Sequence, residues 1–499
     1  MVRKQAIGNL ILNYLGYGLG SINYILLMPL FFSTTEIGLM RLLNTYAVVL
    51  GTLVTLGSSY TLVKFFSEYK TPDGKHNGFV SLMYVVLLVA YMILALVFWI
   101  FEPQIMAVYA QKSPLFNEYY YHLIILTLFS GLFLILESQA AVIYQTLLPV
   151  FLKEVLLRLL FTMAIIIYYF QWIDLKGFVN LFVMSSIIIC LWQGIALWQS
   201  RRFDFRFWRN VSFQKLNLKN IRDYSFTVTS SGLIFQLVMN IDTILLSTML
   251  GLAIVGVYGI YTNIAMLISL PARSIMKVTF PLITQAWNNN ERDKVAKLYA
   301  KSALLQTIGA GWIFLMVLIN DDNLFYFLNK PEFRDHFLIY ILLGLNYFIN
   351  AFFGVNNTIL ITSPLYRYDI VFNLVILVLN TVLIYFGIQL FEGEGAAAGA
   401  CLAVLLSNLM KWYFLKVNFG MDIFTPAFLK VFAIMLLLFS LQEYIPLIFN
   451  VYVDVVIRSG IITGLFVLAH YFWNVSYDFN DTCRLILAKG AEFIGKRRI

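Results

Sequence analysis

Apolar windows long enough to cross a bilayer recur along almost the whole of this 499-residue chain, and that recurrence restricts its fold more than any single motif. A helix needs about 18–20 residues to traverse a ~30 Å hydrocarbon core, and only helices or closed barrels satisfy every backbone N–H and C=O there without water. The windows predict about fourteen spans, near 6–31, 38–66, 79–101, 119–145, 149–171, 176–200, 222–249, 254–283, 297–319, 336–361, 367–389, 395–417, 426–446 and 451–474. Charged residues make up 12% of the chain, about half the share of an ordinary soluble domain. Unbroken runs such as VSLMYVVLLVAYMILALVFWIF lack the ten-residue alternation of barrel strands. The fold class is therefore an all-α polytopic membrane protein. The first run follows MVRKQ, carries Asn9, Asn13 and Asn23, and is too long for the apolar centre of a signal peptide. It is expected to remain as an internal anchor.

Lys and Arg collect in short loops that stay cytoplasmic, so their distribution orients the chain. With the N-terminus inside, inner segments hold Lys64, Lys70 and Lys75, then Arg201 to Arg222, then Arg292, Lys294, Lys297 and Lys301, then Arg367, Lys411, Lys416 and Lys430, and finally Arg484 to Arg498. Outer segments hold only Lys112, Lys176, Lys330 and Arg334. Both termini are expected in the cytoplasm. The +9 net charge is then mainly a topology signal and a poor argument for nucleic-acid binding. The stretch RRFDFRFWRNVSFQKLNLKNIR mixes aromatics with cations, as a segment at the inner headgroup surface would.

Enzymatic chemistry lacks its usual supports. Cys190, Cys401 and Cys483 are far apart, as are His76, His122, His336 and His470, so neither a disulfide framework nor a metal cluster is indicated. No P-loop, Gly-rich dinucleotide turn or HExxH occurs, and the loops leave no room for a catalytic domain. No cofactor is expected.

An internal repeat organises the spans. ILLMPLFFSTTEIGLMRLLNTYAVVL begins at Ile25 and ILLSTMLGLAIVGVYGIYTNIAMLI at Ile244, an offset of 218 or 219 residues. Both contain a helix end, a short turn, Ile/Val-Gly and an aliphatic continuation in the same orientation. The expected layout is an N-terminal six-helix lobe over 1–200, a basic linker over 201–221, a parallel six-helix lobe over 222–418, two appended helices over 419–475 and a basic tail over 476–499. Two such lobes would enclose a central cavity.

The N-terminal pattern KQAIGNLILNYLGYGLGSINYILLMPLFFSTTEIGLMRLL, the run LPVFLKEVLLRLLF and the passage IDTILLSTMLGLAIVGVYGIY carry a resemblance. Together with the span count, they resemble the bacterial polysaccharide and O-antigen flippases of the multidrug, oligosaccharidyl-lipid and polysaccharide exporter superfamily. The resemblance implies an inner-membrane protein that moves an undecaprenyl-pyrophosphate-linked oligosaccharide from the cytoplasmic to the periplasmic leaflet by alternating access. It implies no catalysis, coupling to a Na⁺ or H⁺ gradient in some branches, and work beside polysaccharide polymerase machinery; a self-contained two-lobed cavity needs no partner subunit. A multidrug antiporter of the same superfamily is the alternative, and a membrane polysaccharide polymerase or ligase a more distant one.

Such a substrate needs cations for its phosphates and amides, hydroxyls or aromatic faces for its sugars. Arg273 and Lys277, at i and i+4 between Pro271 and Pro281, share one face of the span 254–283 and either meet the pyrophosphate or snorkel to headgroups. Arg41, the repeat counterpart of Gly259, either guards the outer mouth or anchors a helix end. Asp242 and Glu137 are candidates for ion coupling or for pairing between lobes. Glu154 and Arg158, again at i and i+4, either hold the start of their span or form an inner gate. Stripes through Asn9, Asn13, Gly16 and Gly20 and through Asn346, Asn350, Gly354 and Asn357 either line a sugar-contacting cavity or pack helices.

Overall fold

The computed structural model describes residues 2–203, 216–328, 330–444 and 450–485. Residues 204–215 of the expected linker and 486–499 of the expected tail lie outside the described residues. Among those described there is no strand. The main helices are α1 (Val2–Ser21), α2 (Thr34–Thr55), α3 (Ser58–Tyr69), α4 (Phe79–Ile100), α5 (Tyr120–Val142), α6 (Leu157–Tyr169), α7 (Leu175–Gln199), α8 (Leu218–Met249) and α9 (Leu252–Met266). They continue with α10 (Leu270–Asn288), α11 (Arg292–Ile319), α12 (Phe337–Phe352), α13 (Asn356–Thr362), α14 (Tyr368–Phe419), α15 (Pro426–Leu441) and α16 (Val451–Phe472).

Eleven described helices are long and apolar enough to cross a membrane, or twelve if α12 and α13, bent by 48°, form one span. The expected fourteen exceed this in two places. The segment 149–171 is helical from Leu147–Phe151 through a π turn, Leu152–Leu156, into α6, but it carries Lys153, Glu154 and Arg158 and so is less apolar than its neighbours. The spans 367–389 and 395–417 both fall on α14, whose 52 residues are broken at Phe391 (φ −140°) and Glu392 (φ 51°). The chain doubles back there: a side chain at Gly387 or Gly395 would collide with the carbonyl of the other.

The chain divides into two compact units, 1–260 and 261–499. In the first, α2 packs against α5 at a glycine contact, where a methyl added to Gly131 would stand 3.1 Å from the Gly51 carbonyl oxygen. Small residues let transmembrane backbones approach this closely, which matters where lipid removes the hydrophobic drive between helices. The entry to α2 is set by a reciprocal cap: the Glu36 amide donates to Ser33 Oγ (3.2 Å) and the Ser33 amide to Glu36 Oε2 (2.7 Å). The apolar core of this unit runs from Leu62 and Phe79 through Phe133 and Leu136 to Ile189 and Leu197. In the second unit, α11 is buried on several faces, from Tyr299 and Ala303 to Phe314 and Leu315. Three apolar clusters share it, mostly beyond its basic first turns, where the helix becomes apolar on most sides.

Candidate functional site

Within the first unit lies a cavity of about 410 Å³. Its walls come from Tyr24 after α1, Asn44 and Thr52 on α2, Ser130 on α5, Lys153 and Glu154 on the π turn, Arg158 on α6, Ser186 on α7 and Gln236 on α8. Apolar lining such as Phe129, Phe161 and Phe182 completes it. Two cations, one carboxylate, amides, hydroxyls and aromatic faces thus open onto one space.

Two widened helical turns build the polar wall. The chain is π-helical over Ile22–Leu27 and again over Leu152–Leu156, and such bulges cost regular hydrogen bonding and recur at functional sites. Side chains bond in and around both turns. Arg158 Nη1 donates to the Glu154 carbonyl oxygen (2.7 Å) and closely to Glu154 Oε2. Asn23, fully buried, donates through Nδ2 to the Arg158 carbonyl oxygen (2.9 Å), and Thr162 Oγ1 donates to Asn23 Oδ1 (2.8 Å). The Arg158 side chain lies against α1: a side chain at Gly16 would strike its guanidinium, and a methyl at Gly20 would stand 3.0 Å from Nε. Arg158 and Glu154 remain 26% and 19% exposed, so the pair is held firmly while still open to the cavity. Beside it, Lys153 Nζ lies 3.5 Å from Glu137 Oε2.

The amide stripe on α1 divides. Gly16 and Gly20 accommodate Arg158; Asn9 Nδ2 donates to Thr146 Oγ1 (2.9 Å) and Asn13 Nδ2 to the Asn9 carbonyl oxygen (2.7 Å). Neither Asn9 nor Asn13 lines the cavity. Arg41 donates from Nε to Thr243 Oγ1 (3.1 Å) and from Nη1 to the Gly259 carbonyl oxygen (3.4 Å), which ties α2 to α8 and α9. Asp242 is half-buried and accepts the amide of Thr243 at Oδ1 (2.6 Å).

In the second unit, Arg273 is half-buried and Lys277 exposed on α10, which has Pro271 in its first turn and Pro281 inside. An apolar groove of about 470 Å³ beside that helix is lined by Ser274, Val278, Thr279 and Lys301 but by neither cation. Asn346 is half-buried on α12. Asn350 is exposed on the same helix and accepts at Oδ1 from Asn408 Nδ2 (3.5 Å).

Two polar clusters escaped the sequence reading. Lys411 on α14 is 7% exposed and donates from Nζ to Asn357 Oδ1 (2.8 Å), while Asn356 Nδ2 donates to Asn408 Oδ1 (2.8 Å). The signal was available: Lys411 interrupts the apolar span 395–417, and Asn408 precedes it by three residues. Asp454 and Arg458 on α16, 1% and 8% exposed, lie 3.3 Å apart, with Asn323 Nδ2 donating to Asp454 Oδ2 (2.7 Å). Their i, i+4 spacing was equally visible.

Long apolar helices, and in the first unit a polar cavity lined by cations, amides and hydroxyls, are the arrangement of a multi-span membrane transporter. Residues 2–287 match the family described as Polysaccharide biosynthesis protein, and residues 229–386 match MatE. The chain belongs to the polysaccharide biosynthesis protein family, within the multidrug, oligosaccharidyl-lipid and polysaccharide exporter superfamily. Among solved structures it is similar to the lipid II flippase MurJ in an inward closed conformation, with TM-score 0.75 and 12% identity over 94% of this chain and 98% of that one. It is also similar to an inward-facing multidrug resistance MATE family transporter, with TM-score 0.65 and 14% identity over 82% of this chain and 94% of that one. At these identities the likeness establishes the fold. No curated protein matches the chain in sequence.

Proposed function

We propose that the protein flips a polyprenyl-pyrophosphate-linked oligosaccharide, of the undecaprenyl type, from the cytoplasmic to the periplasmic leaflet of a bacterial inner membrane by alternating access. The observation that carries this reading is the cavity of the first unit, where Arg158 and Lys153 open among Asn44, Gln236, Ser130 and Ser186. Cations at membrane depth are costly and usually serve a substrate or a pathway, and a guanidinium fork suits phosphate oxygens. The amides, hydroxyls and aromatic faces suit a hydrated glycan, while the polyprenyl tail can stay in lipid. Membership of the polysaccharide biosynthesis family and the fold shared with a lipid II flippase support the same substrate class. In this reading Arg273 and Lys277 meet the pyrophosphate on its way, both termini are cytoplasmic, the protein works as a monomer beside polysaccharide polymerase machinery, and Asp242 carries a coupling Na⁺ or H⁺.

Translocation of a labelled undecaprenyl-pyrophosphate oligosaccharide in proteoliposomes tests it, with wild type compared against Arg158→Gln at matched folding. Flipping by the wild type and its loss in the variant are the expected results. No flipping by the wild type under either ion gradient would favour the multidrug-antiporter reading, which the MatE match over 229–386 keeps in view.

A further inference from the structure

The cavity neutralises its own cations. Arg158 is held by Glu154 and Lys153 stands beside Glu137, so two cations face two carboxylates. The bonds that Arg158 donates run through Nη1, to the Glu154 carboxylate and to the Glu154 carbonyl. Its guanidinium lies against Gly16 and its Nε and Cδ against Gly20, which holds the arginine in place, while the Glu154 carboxylate, beyond a Cβ that also packs on Gly16, can still turn away on the widened turn. An incoming anion must therefore compete with an acid already in place. Because that acid sits one helical turn from its arginine, it competes as an intramolecular ligand and cannot be diluted away.

Charge decides that competition. A sugar lipid joined through a single phosphodiester carries one negative charge, so exchanging it for the Glu154 carboxylate replaces like with like and gains little. A sugar lipid joined through a diphosphate carries two, one on each phosphoryl group, and can engage Arg158 and Lys153 together while both carboxylates swing away. From this, and resting on the assignment of the cavity as the substrate site, we infer that Glu154 is an internal substitute for phosphate. It closes Arg158 to singly charged anions and makes the cavity selective for diphosphate-linked over monophosphate-linked glycolipids. Glu137 plays the weaker, parallel part for Lys153, since that contact is longer and its partners are 45% and 33% exposed.

The test is equilibrium binding to the purified full-length protein of two probes sharing one prenyl chain and one sugar, a polyprenyl-diphosphoryl-sugar and a polyprenyl-phosphoryl-sugar, with inorganic pyrophosphate as a third. Wild type is expected to prefer the diphosphate lipid by about tenfold or more. Glu154→Gln should bind both lipids more tightly, the monophosphate one most, so that the preference falls below about threefold. Glu137→Gln should move the same way by a smaller factor, and Arg158→Lys should lose the preference through the loss of the fork. Melting temperatures establish that each variant is folded, and Glu154→Asp, whose shorter arm withdraws from Arg158, serves if the glutamine variant is not. Unchanged affinities in folded Glu154→Gln overturn the inference, as does weaker binding of both lipids. Inorganic pyrophosphate binding as tightly as the diphosphate lipid would make this a soluble-anion site and overturn it too. A wild type that binds neither lipid rejects the substrate reading itself, an outcome separate from failure of the Glu154 role alone.

Discussion

Gly38 at the start of α2 and Gly256 at the start of α9 back onto each other, and the contact is reciprocal. A side chain at Gly38 would strike the Leu252 carbonyl and one at Gly256 the Thr34 carbonyl, while each would also stand 3.1 Å from the amide nitrogen of the other glycine. Gly38 and Gly256 differ by 218 positions, as do Thr34 and Leu252, and as do Arg41 and its acceptor Gly259. The repeat visible in sequence is thus a local two-fold in space, whose axis passes between the two glycines. A self-complementary contact of this kind requires the same residue on both sides, which accounts for the Gly that the two copies share.

Gly38→Ala is expected to cost about 1–3 kcal/mol of unfolding free energy, because the colliding atom is backbone and cannot rotate away. Gly256→Ala should cost as much. The double variant should cost less than the sum, since both changes open the same crossing. Gly194 on α7 has nothing within 4 Å of an added methyl, so Gly194→Ala should leave stability unchanged or raise it by up to about 1 kcal/mol. Thermal unfolding in detergent decides the matter, and a Gly38→Ala variant that melts with the wild type would show the crossing to be loose.

Arg41 offers a sharper separation of structure from transport. Its two bonds, to Thr243 near the end of α8 and to the Gly259 carbonyl on α9, tie α2 to both helices beside the glycine crossing. Arg41→Gln should cost about 1–2 kcal/mol of stability. A double-mutant cycle with Thr243→Val should return a coupling of about 0.5–1.5 kcal/mol. A variant with wild-type stability and no transport would instead make Arg41 a cation of the pathway.

How much of this could be read beforehand depends on the range of the signal. Span positions and the 218-residue repeat are written in local hydropathy and in small residues, and both emerged from the chain alone. The Glu154–Arg158 pair was legible because i, i+4 spacing sets a contact within one helix. Its setting was not, since a π turn comes from how α1 and the start of α6 pack, and no composition signals it. The emphasis on Arg273 and Lys277 over Lys153 shows the same limit: periodicity places two cations on one helix face but does not say what that face meets. The burial of Lys411, counted in sequence as an inner-loop cation, was not legible because its partners Asn357 and Asp369 lie 54 and 42 residues away along the chain.

Glu392 is a place where the chain bears strain. The break that lets α14 double back puts this non-glycine residue at φ 51°, ψ −128°, a region that side chains rarely adopt. Glu392→Gly removes the clash of the side chain with its own backbone and, after allowance for the greater freedom of the unfolded chain, should stabilise the protein by about 1 kcal/mol. Glu392→Ala, which keeps a Cβ, should not. If both variants melted alike, the gain would belong to the lost carboxylate rather than to the backbone.

The loop between α14 and α15 supplies a pH dependence with a definite sign. Partial burial alone would push the Asp422 carboxyl up, but the Lys416 ammonium (2.7 Å), the Phe424 amide (3.1 Å) and the Trp412 indole N–H (3.0 Å) outweigh it and hold the carboxyl below its ordinary range. A carboxyl lowered by folding stabilises the folded state fully above its unfolded pKa, ~3.9, and that contribution is lost as the pH falls through the lowered value. The side chain is 38% exposed, so solvent screening limits the Lys416 pair to about 0.5–1 kcal/mol. Asp422→Asn should therefore be less stable than wild type near pH 7, and the two should converge as the pH drops below the usual aspartate range. The Trp412 indole is part of the same contact, since it donates to this carboxylate and its ring packs edge-on against Phe424 with centroids 4.9 Å apart. A gap between the two unfolding curves that stayed constant from pH 7 to well below the aspartate range would mean that the Asp422 charge does not hold the loop.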